Sequence, residues 1–213
     1  MSRPEGSDAT VSEIDTSKRA LRESILAVRA RLTAKDAEET AAVLAERALE
    51  LPELTEARTV AAYVSVGREP GTLPLLEALR AQGVRVLLPV LLPDNDLDWG
   101  TYEGAERLVR AGRGLLEPDG PRLGPESVTE VDAVLLPGLA VDGQGMRLGR
   151  GGGSYDRVLA RIGAAGARPA LTVLLYDAEV VGSVPAEPHD LPVAAAVTPA
   201  GIHRFIAPPP PHH

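Results

Sequence analysis

Short apolar segments of strand length alternate with segments of helical periodicity along this chain, and this alternation restricts the fold more than any other sequence feature. Residues 59–66 are apolar and β-branched, residues 72–82 have a helical pattern that Gly83 ends, and residues 84–92 form a second apolar run. Strand, helix and strand in this order are typical of two parallel strands joined by a crossover helix. Buried strands are also predicted at residues 133–137, 170–175 and 194–198.

Further helices are predicted at residues 13–31, 33–51 and 154–162. The second of them begins with a capping-box pattern, in which the side chains of Thr33 and Asp36 can each bind the backbone at the helix start. We therefore predict an α/β fold with a single doubly wound, mostly parallel sheet that is flanked by helices on both faces. Sheets of this kind bind ligands beyond the carboxyl ends of their strands.

The α/β domain is predicted to occupy residues 13–206. Residues 1–12 are polar and acidic and predict a disordered leader, and residues 207–213, which contain four consecutive prolines, predict a disordered tail. Within the domain, residues 97–102 fit a further strand, and the glycine- and proline-rich residues 111–125 fit a loop.

The start of the chain and its apolar runs indicate where the protein works. The first residues lack the basic and apolar regions of a signal peptide. The longest apolar runs are far shorter than the roughly 20 residues of a transmembrane helix. We therefore expect a cytoplasmic protein that has no membrane partner, and we expect it to be a monomer.

The composition excludes several classes of site. The chain has no cysteine, which removes disulfides, thiolate nucleophiles and cysteine-based zinc sites. Its four histidines are scattered or terminal, which argues against a metal site built from histidines. The net charge of -8 and the aromatic content of 3% argue against a nucleic-acid-binding surface. An anionic ligand must therefore be held by a local cluster of positive groups.

The densest chemical pattern is a glycine-rich loop at residues 147–156, which reads Arg-Leu-Gly-Arg-Gly-Gly-Gly-Ser-Tyr-Asp and leads into a predicted helix. Glycines let backbone N–H groups approach an anion, and the helix N-terminus adds partial positive charge. Arg147 and Arg150 can each bind phosphate oxygens through two N–H groups. The loop has neither the Gly-Lys-Ser/Thr of a Walker A motif nor the spacing of a dinucleotide-binding fingerprint. The pattern favours a loop that binds a polyphosphate over the alternative, a flexible surface loop.

Three further groups of residues fit such a site, and each also has a structural explanation. Lys18 and Arg22 are four residues apart and share a helix face, which is also the pattern of an ordinary solvated face. Asp156 and Asp190 are candidate Mg²⁺ ligands, because this ion uses one or two carboxylates together with phosphate oxygens and water. The alternatives are a helix-start carboxylate for the first and a turn residue for the second. Glu69 follows the first strand, where α/β sheets place ligand contacts, and an ordinary loop glutamate is equally well supported.

These motifs occur in an order that carries further information. The most specific piece extends from Pro137-Gly-Leu-Ala-Val-Asp to Gly145-Met-Arg-Leu-Gly-Arg-Gly-Gly-Gly-Ser-Tyr-Asp-Arg. It is preceded by Lys18-Arg-Ala-Leu-Arg, by Tyr63-Val-Ser with Glu69 and Thr72, and by Glu117-Pro118, and it is followed by residues 185–190. Together these pieces span roughly residues 14–205. In this arrangement the sequence resembles the 5-formyltetrahydrofolate cyclo-ligase family, also called 5,10-methenyltetrahydrofolate synthetases.

The resemblance implies a doubly wound fold and a ring closure that depends on ATP and Mg²⁺. In this reaction the formyl oxygen of 5-formyltetrahydrofolate attacks the γ-phosphate of ATP. N10 then attacks the activated carbon, so that ADP, phosphate and 5,10-methenyltetrahydrofolate result. The implied partners are ATP and 5-formyltetrahydrofolate, with or without a polyglutamate tail. Such phosphoryl transfer depends on positioning and charge neutralisation, with no need for a cysteine or histidine nucleophile.

The resemblance also assigns roles to individual residues. Arg150 and Lys18 would act catalytically, and Asp156 and Asp190 would coordinate Mg²⁺. Glu69 would bind the pterin. The ATP-binding set is Lys18, Arg22, Arg147, Leu148, Gly149, Arg150, Gly151, Gly152, Gly153, Ser154 and Tyr155. The substrate-binding set is Val64, Glu69, Arg150, Gly151, Gly152, Gly153 and Ser154.

Two residues depart from the family pattern. Ser154 stands where the family usually has the first of two tyrosines, and Val141 stands where it commonly has phenylalanine. Both changes would reduce the apolar or stacking area near the folate. They keep a second hypothesis open, a paralogue that uses ATP to activate a different formyl or amide oxygen. A third hypothesis is a non-catalytic regulator that binds folate or nucleotide.

Overall fold

A seven-stranded sheet forms the centre of the molecule, and its strand order confirms the predicted α/β fold. The structure is a computed structural model that describes residues 6–187 and 190–205, with side chains from residue 13 onward. The strands are β1 (Thr59–Ala61), β2 (Arg85–Leu91), β3 (Leu97–Thr101), β4 (Leu108–Arg110), β5 (Leu116–Pro118), β6 (Ala133–Leu136), β7 (Ala140–Val141), β8 (Arg147–Leu148), β9 (Ala170–Leu174), β10 (Ala195–Thr198) and β11 (Gly201–Arg204). The helices are α1 (Gly6–Arg29), α2 (Ala34–Ala48), α3 (Pro52–Thr55), α4 (Leu73–Ala81) and α5 (Ser154–Ala164).

The central strands of this sheet run parallel, in the order β10, β9, β6, β1 and β2. The edge strands β11 and β3 are antiparallel to their neighbours. From β1 the chain proceeds outward to β2, whereas from β6 it proceeds outward in the other direction, to β9 and then β10. The winding therefore changes direction between β1 and β6. The carboxyl ends of these two strands are where a doubly wound sheet binds its ligands.

Helices cover both faces of the sheet, as predicted. Because successive strand residues point to opposite faces, Val60 and Ala61 of β1 belong to different apolar clusters. The cluster of Val60 contains buried side chains of α2 and α4, and the cluster of Ala61 contains buried side chains of α5. The predicted capping box at the start of α2 is confirmed, with Asp36 and Thr33 each bound to the other's backbone.

Helix α1 packs on a third apolar cluster, which its residue Ile25 forms with Leu139, Ala140, Leu148 and Val184. This cluster lies around the β7–β8 hairpin and brings α1 close to the glycine-rich loop that follows β8. Although α1 has 24 residues, neither it nor any other helix in the described part of the chain combines the length and apolar character that a bilayer crossing needs.

The start of α1 differs from the sequence prediction. The helix begins at Gly6, so residues 6–12 are helical, where the sequence predicts a disordered leader. Polar residues such as Ser7 and Asp8 suit the first turn of a helix as well as a leader, and polarity alone does not separate the two. Residues 1–5 and the predicted tail at residues 207–213 lie outside the described residues.

Short hairpins are the elements that the sequence analysis misses. Strands β4 and β5 pair with each other, and β5 lies within residues 111–125, for which the sequence predicts mostly loop. Strands β7 and β8 form another hairpin, so that the glycine-rich loop begins within a strand. Strands of two or three residues are too short to show an alternating pattern, and for this reason they escape prediction.

Candidate active site

A cavity of about 710 Å³ lies at the carboxyl ends of β1 and β6. Strand β1 ends at Ala61, before the predicted residue 66, and Tyr63 and Val64 line the cavity beyond it. Pro137 lines the cavity at the end of β6. All the candidate site residues named from the sequence contribute to its wall: Lys18, Arg22, Val64, Glu69, Arg147, Leu148, Gly149, Arg150, Gly151, Gly152, Gly153, Ser154, Tyr155, Asp156 and Asp190. The structure thus brings these residues together around one cavity.

Two glycines of the glycine-rich loop lie close to arginine side chains, and two have a positive φ that residues with a Cβ atom rarely adopt. Gly151 has φ +88°, and a Cβ atom there would lie 3.2 Å from Cζ of Arg22. A Cβ atom on Gly149 would lie 2.9 Å from Nη1 of Arg147. Gly153, with φ +77°, precedes α5 without a side-chain cap, so the first N–H groups of this helix need another hydrogen-bond partner. A phosphate is a suitable partner for such groups.

Arg147 is a buried cation at the back of the loop. Its side chain is only 7% exposed, and Nη1 donates a hydrogen bond to the carbonyl of Pro137 at 2.8 Å. Burial lowers the pKa of the Arg147 guanidinium, because the charged form loses water. Its nearest acidic partner, Asp156, is 3.9 Å away and mostly exposed. An anion in the cavity would therefore compensate a charge that the protein leaves largely unneutralised.

Arg150 connects the glycine-rich loop to the turn after β1. Its Nε lies 3.1 Å from Oε1 of Glu69, whose side chain is 10% exposed. The other carboxylate oxygen, Oε2, accepts the N–H of Val66 at 2.8 Å. These two contacts fix the orientation of the Glu69 carboxylate at the cavity wall, while the half-exposed Arg150 side chain reaches across the opening.

Two basic residues of α1 reach the cavity from the other side. Lys18 Nζ binds Oε2 of Glu187 at 2.7 Å and Oδ2 of Asp190 at 2.9 Å. Burial lowers the pKa of the Lys18 ammonium, but the two carboxylates raise it more, so that its pKa lies above the ordinary value. Arg22 Nε donates to the carbonyl of Gly149 at 2.9 Å, which ties α1 to the glycine-rich loop.

The two candidate metal ligands fit an ion whose coordination is completed by a bound phosphate. Asp156 is 64% exposed in the first turn of α5, and Asp190 is held by Lys18 and by the N–H of Glu187. Over residues 13–187 and 190–205, histidine, aspartate and glutamate side chains form no group of three that would enclose a metal. Mg²⁺ suits this donor set, since it commonly uses one or two carboxylates together with substrate phosphates.

The cavity also has lining residues to which the sequence analysis assigned no role. Tyr63 and Glu187 lie within quoted motifs, but their residue type alone does not reveal that they face the cavity. Apolar side chains from β2, β3 and the residues before β5 form another part of the wall, with Arg113 beside them. The hairpin that carries Arg113 was itself not predicted, so no sequence signal pointed to this wall.

One expected contribution to the cavity is wrong. Val141 is fully buried in the cluster beneath α5, where it packs with core residues such as Val158 and Val173, and it does not belong to the described lining of the cavity. The valine therefore changes core packing rather than a contact surface for the substrate. Ser154 does line the cavity, and Val64 both lines it and belongs to the buried core.

Comparisons with known proteins give a consistent result. The sequence profile of the 5-formyltetrahydrofolate cyclo-ligase family matches residues 14–199. A 5-formyltetrahydrofolate cyclo-ligase of Mycolicibacterium smegmatis is 46% identical over 147 residues, which are 67% of this chain and 74% of that protein. The protein of the same name in Escherichia coli K12 is 33% identical over 176 residues, 82% of this chain and 96% of that protein. Among solved structures, the 5,10-methenyltetrahydrofolate synthetase of Aquifex aeolicus matches with a TM-score of 0.74 and 27% identity, over 92% of this chain and 96% of that one.

Proposed function

This chain belongs to the 5-formyltetrahydrofolate cyclo-ligase family, and we propose that it converts 5-formyltetrahydrofolate to 5,10-methenyltetrahydrofolate by using Mg²⁺ and ATP. The observation that supports the proposal most directly is the composition of one cavity wall. It contains the glycine-rich loop, two basic residues of α1 and the Glu69 carboxylate. A polyphosphate and a pterin can therefore be bound side by side.

The glycine-rich loop and α1 form the nucleotide half of the proposed site. Backbone N–H groups at the start of α5 would bind phosphate oxygens, and the buried Arg147 would supply a desolvated positive charge. Arg22 already contacts the loop, and Lys18 lies on the same face of α1. When phosphates bind, the Lys18 ammonium would exchange part of its contact with Glu187 and Asp190 for phosphate oxygens.

The transfer step joins the formyl oxygen to the γ-phosphorus. The new O–P bond forms as the bond between the γ-phosphorus and the β,γ-bridging oxygen breaks, and ADP leaves. Arg150 would bind the equatorial oxygens of the phosphoryl group during this step, where stabilising charge has the largest effect. N10 then attacks the activated carbon, a C–N bond forms, the N10 proton is lost, and phosphate departs with the former formyl oxygen.

Glu69 and its apolar surroundings form the folate half of the proposed site. Its carboxylate would accept hydrogen bonds from the amino and ring N–H groups of the pterin, as its fixed orientation allows. Leu91, Leu97 and Leu116 would cover the apolar faces of the substrate. Because Arg150 contacts Glu69, the residue that would bind the phosphoryl group is adjacent to the one that would bind the pterin.

Magnesium completes the proposed site together with the nucleotide. Asp156 and Asp190 would hold the ion, and ATP phosphates and water would supply the remaining ligands. When bound, the ion would neutralise phosphate charge and orient the triphosphate.

The proposal is tested by mixing the protein with ATP, Mg²⁺ and 5-formyltetrahydrofolate and measuring both products. We expect the near-ultraviolet absorbance of 5,10-methenyltetrahydrofolate to appear together with an equal amount of ADP. Release of ADP with another amide, but no methenyl product, would instead support a paralogue with a changed substrate. Binding of both ligands without ADP formation would support a regulator.

A further inference from the structure

The last turn of α1 carries a buried arginine that the proposed reaction does not use. Arg29 is 2% exposed and lies on the same side of the helix as Lys18 and Arg22, since spacings of four and seven residues return to one helix face. Unlike those two residues, it is not part of the described cavity lining. Its Nε and Nη2 bind the two carboxylate oxygens of Glu179 at 2.6 and 2.8 Å.

This ion pair is poorly explained by stability alone. Burial lowers the pKa of the Arg29 guanidinium, but its hydrogen bonds with Glu179 raise it more, so that the arginine stays charged. Glu179 is 4% exposed, and removing two charges from water costs free energy that their attraction often fails to recover. Nη1 of Arg29 is also buried without a hydrogen-bond partner among the described residues. The segments that the pair connects provide a better explanation.

One connection leads to the end of β6. Nη2 of Arg29 donates to the carbonyl of Gly138 at 2.8 Å, and the preceding carbonyl, that of Pro137, accepts Nη1 of Arg147 at 2.8 Å. Two arginines therefore hold adjacent carbonyl groups just after β6, where Pro137 lines the cavity. The backbone of this segment packs closely on β9, because a Cβ atom on Gly138 would lie 2.6 Å from the side chain of Val173.

A second connection leads to Glu69. The Arg29 guanidinium lies 5.6 Å from the ring centre of Tyr176, and the N–H of Tyr176 donates to Oε2 of Glu179 at 3.0 Å. The hydroxyl of Tyr176 donates to the carbonyl of Arg68 at 3.1 Å. Arg68 directly precedes Glu69, so the ion pair is linked through one tyrosine to the turn that would bind the pterin.

We propose that Arg29 and Glu179 form a positioning pair that aligns Lys18 and Arg22 with the glycine-rich loop and, through Tyr176, holds the turn of Glu69. The proposal rests on the proposed function for the identity of the two ligands. Arg29 touches neither ligand and acts through α1 and the neighbouring carbonyls. A shift of about 1 Å in a reacting group can lower a rate by about 100-fold, so small movements of α1 would have measurable effects.

The main test replaces both charges with apolar side chains of similar size, as Arg29→Met with Glu179→Leu. Removing both partners avoids leaving one buried charge uncompensated, and such replacements are often tolerated by a fold. We expect the variant to stay folded, with a cooperative thermal transition and the wild-type fluorescence of the sole, buried tryptophan, Trp99. Its thermal midpoint is expected to fall somewhat, because the Gly138 carbonyl and the Tyr176 N–H each lose a hydrogen-bond partner. We expect kcat/KM to fall by about 10- to 100-fold, with a higher KM for both ATP and 5-formyltetrahydrofolate.

The matched control is the same pair of substitutions at Arg204 and Glu53. These residues also form an arginine–glutamate pair with two hydrogen bonds, but they lie at the surface, between β11 and α3. We expect Arg204→Met with Glu53→Leu to keep kcat and both KM values. If the Arg29 and Glu179 variant is folded and also keeps all three values, the positioning proposal is wrong.

A milder variant tests the link to Glu69 separately from the link to the end of β6. It buries no new apolar group. Tyr176→Phe keeps the ring beside Arg29 and removes only the hydroxyl that binds the carbonyl of Arg68. We expect the KM for 5-formyltetrahydrofolate to rise several-fold and the KM for ATP to stay unchanged. Equal changes in both constants, or no change in either, would contradict the link to Glu69.

The test remains informative if the wild-type protein forms no methenyl product, a result that would reject the proposed function. The affinity for Mg-ATP is then measured by titration calorimetry for the wild type and for the variant at Arg29 and Glu179. A loss of affinity of fivefold or more would still support positioning of Lys18 and Arg22. An unchanged affinity would reject it.

Discussion

Arg150 is the residue through which the two halves of the proposed site meet. It belongs to the glycine-rich loop, and its Nε contacts Glu69 on the folate side. We expect Arg150→Ala to lower kcat by about 100- to 1000-fold, the usual effect of removing a group that stabilises developing charge. The rate is measured as ADP release at saturating concentrations of both substrates.

The control for this prediction is Arg157→Ala. Arg150 and Arg157 have side chains that are both 51% exposed, but Arg157 contacts Asp94 outside the cavity. We expect the control variant to retain the wild-type kcat. A fully active Arg150→Ala variant would show that this arginine does not bind the transferring phosphoryl group.

Glu69 is expected to affect one substrate only. Its carboxylate is held by Val66 and Arg150, and neutralising it in Glu69→Gln would weaken charge-assisted hydrogen bonds to the pterin. We expect the KM for 5-formyltetrahydrofolate to rise by about 10-fold or more, and the KM for ATP to change little. Steady-state kinetics with each substrate varied in turn measures both constants.

The exposed residue Glu56 provides the control for this substitution. Glu56→Gln removes a negative charge from the surface near α3 and is expected to change neither constant. If both KM values rise equally in Glu69→Gln, the substitution disturbs the whole cavity. A specific contact between Glu69 and the pterin would then not be supported.

At the level of single residues, the sequence predicts several side chains that line the cavity, but neither the position of Val141 nor the pairing of Arg29. The ammonium group of Lys18 and the carboxylate of Glu69 are charged and need polar partners, and both residues line the cavity. Val141 could line a pocket or fill a core, because its side chain is suited to either, and the structure puts it in the core. Arg29 looks like one more basic residue on α1, and its buried pairing with Glu179 becomes visible only in three dimensions.

At the level of secondary-structure elements, one carboxylate, that of Asp132, holds the start of β1. Asp132, just before β6, accepts the N–H groups of Thr59 and Arg58 at 2.9 and 2.8 Å. These bonds lower the pKa of Asp132 below its ordinary value. Its contribution to stability is therefore complete above the unfolded-state pKa of about 3.9 and is lost as the pH falls toward the lower folded-state pKa.

We expect Asp132→Asn to be less stable than the wild type at pH 7, with a difference that narrows as the pH falls from about 5 to about 3. Urea unfolding across this pH range measures the free energy of unfolding. Glu38→Gln, which removes an exposed carboxylate on α2, is expected to follow the wild type throughout. A constant difference between Asp132→Asn and the wild type would mean that the ionisation of Asp132 does not stabilise the strand.

Elements were predictable where several residues repeat the same pattern. The central strands are apolar runs, and α2 has a capping box in its sequence, so both follow from local rules. The hairpins β4–β5 and β7–β8 have two or three residues per strand. Backbone hydrogen bonds between their strands stabilise them, and their sequences are too short to show an alternating pattern. The early start of α1 was missed because polar residues serve equally well in a helix and in a leader.

At the scale of the whole molecule, the site depends on the change of winding between β1 and β6. Lys18 binds Glu187, which is 169 residues away along the chain, and Arg150 binds Glu69. No local rule pairs such distant residues; the predicted doubly wound sheet explains only why they converge at one edge. Whether the protein is a monomer stays a prediction, which sedimentation would decide.

In the proposed reaction, ATP activates the formyl oxygen of the substrate that is bound in this cavity. The fate of this oxygen is followed with 5-formyltetrahydrofolate that carries ¹⁸O in the formyl group and with mass analysis of the released phosphate. The proposed reaction breaks the bond between carbon and this oxygen after phosphoryl transfer, so we expect one ¹⁸O atom in each phosphate and an equal amount of methenyl product. Unlabelled phosphate would show that ATP is cleaved without activation of the formyl group, and the proposed reaction would be wrong.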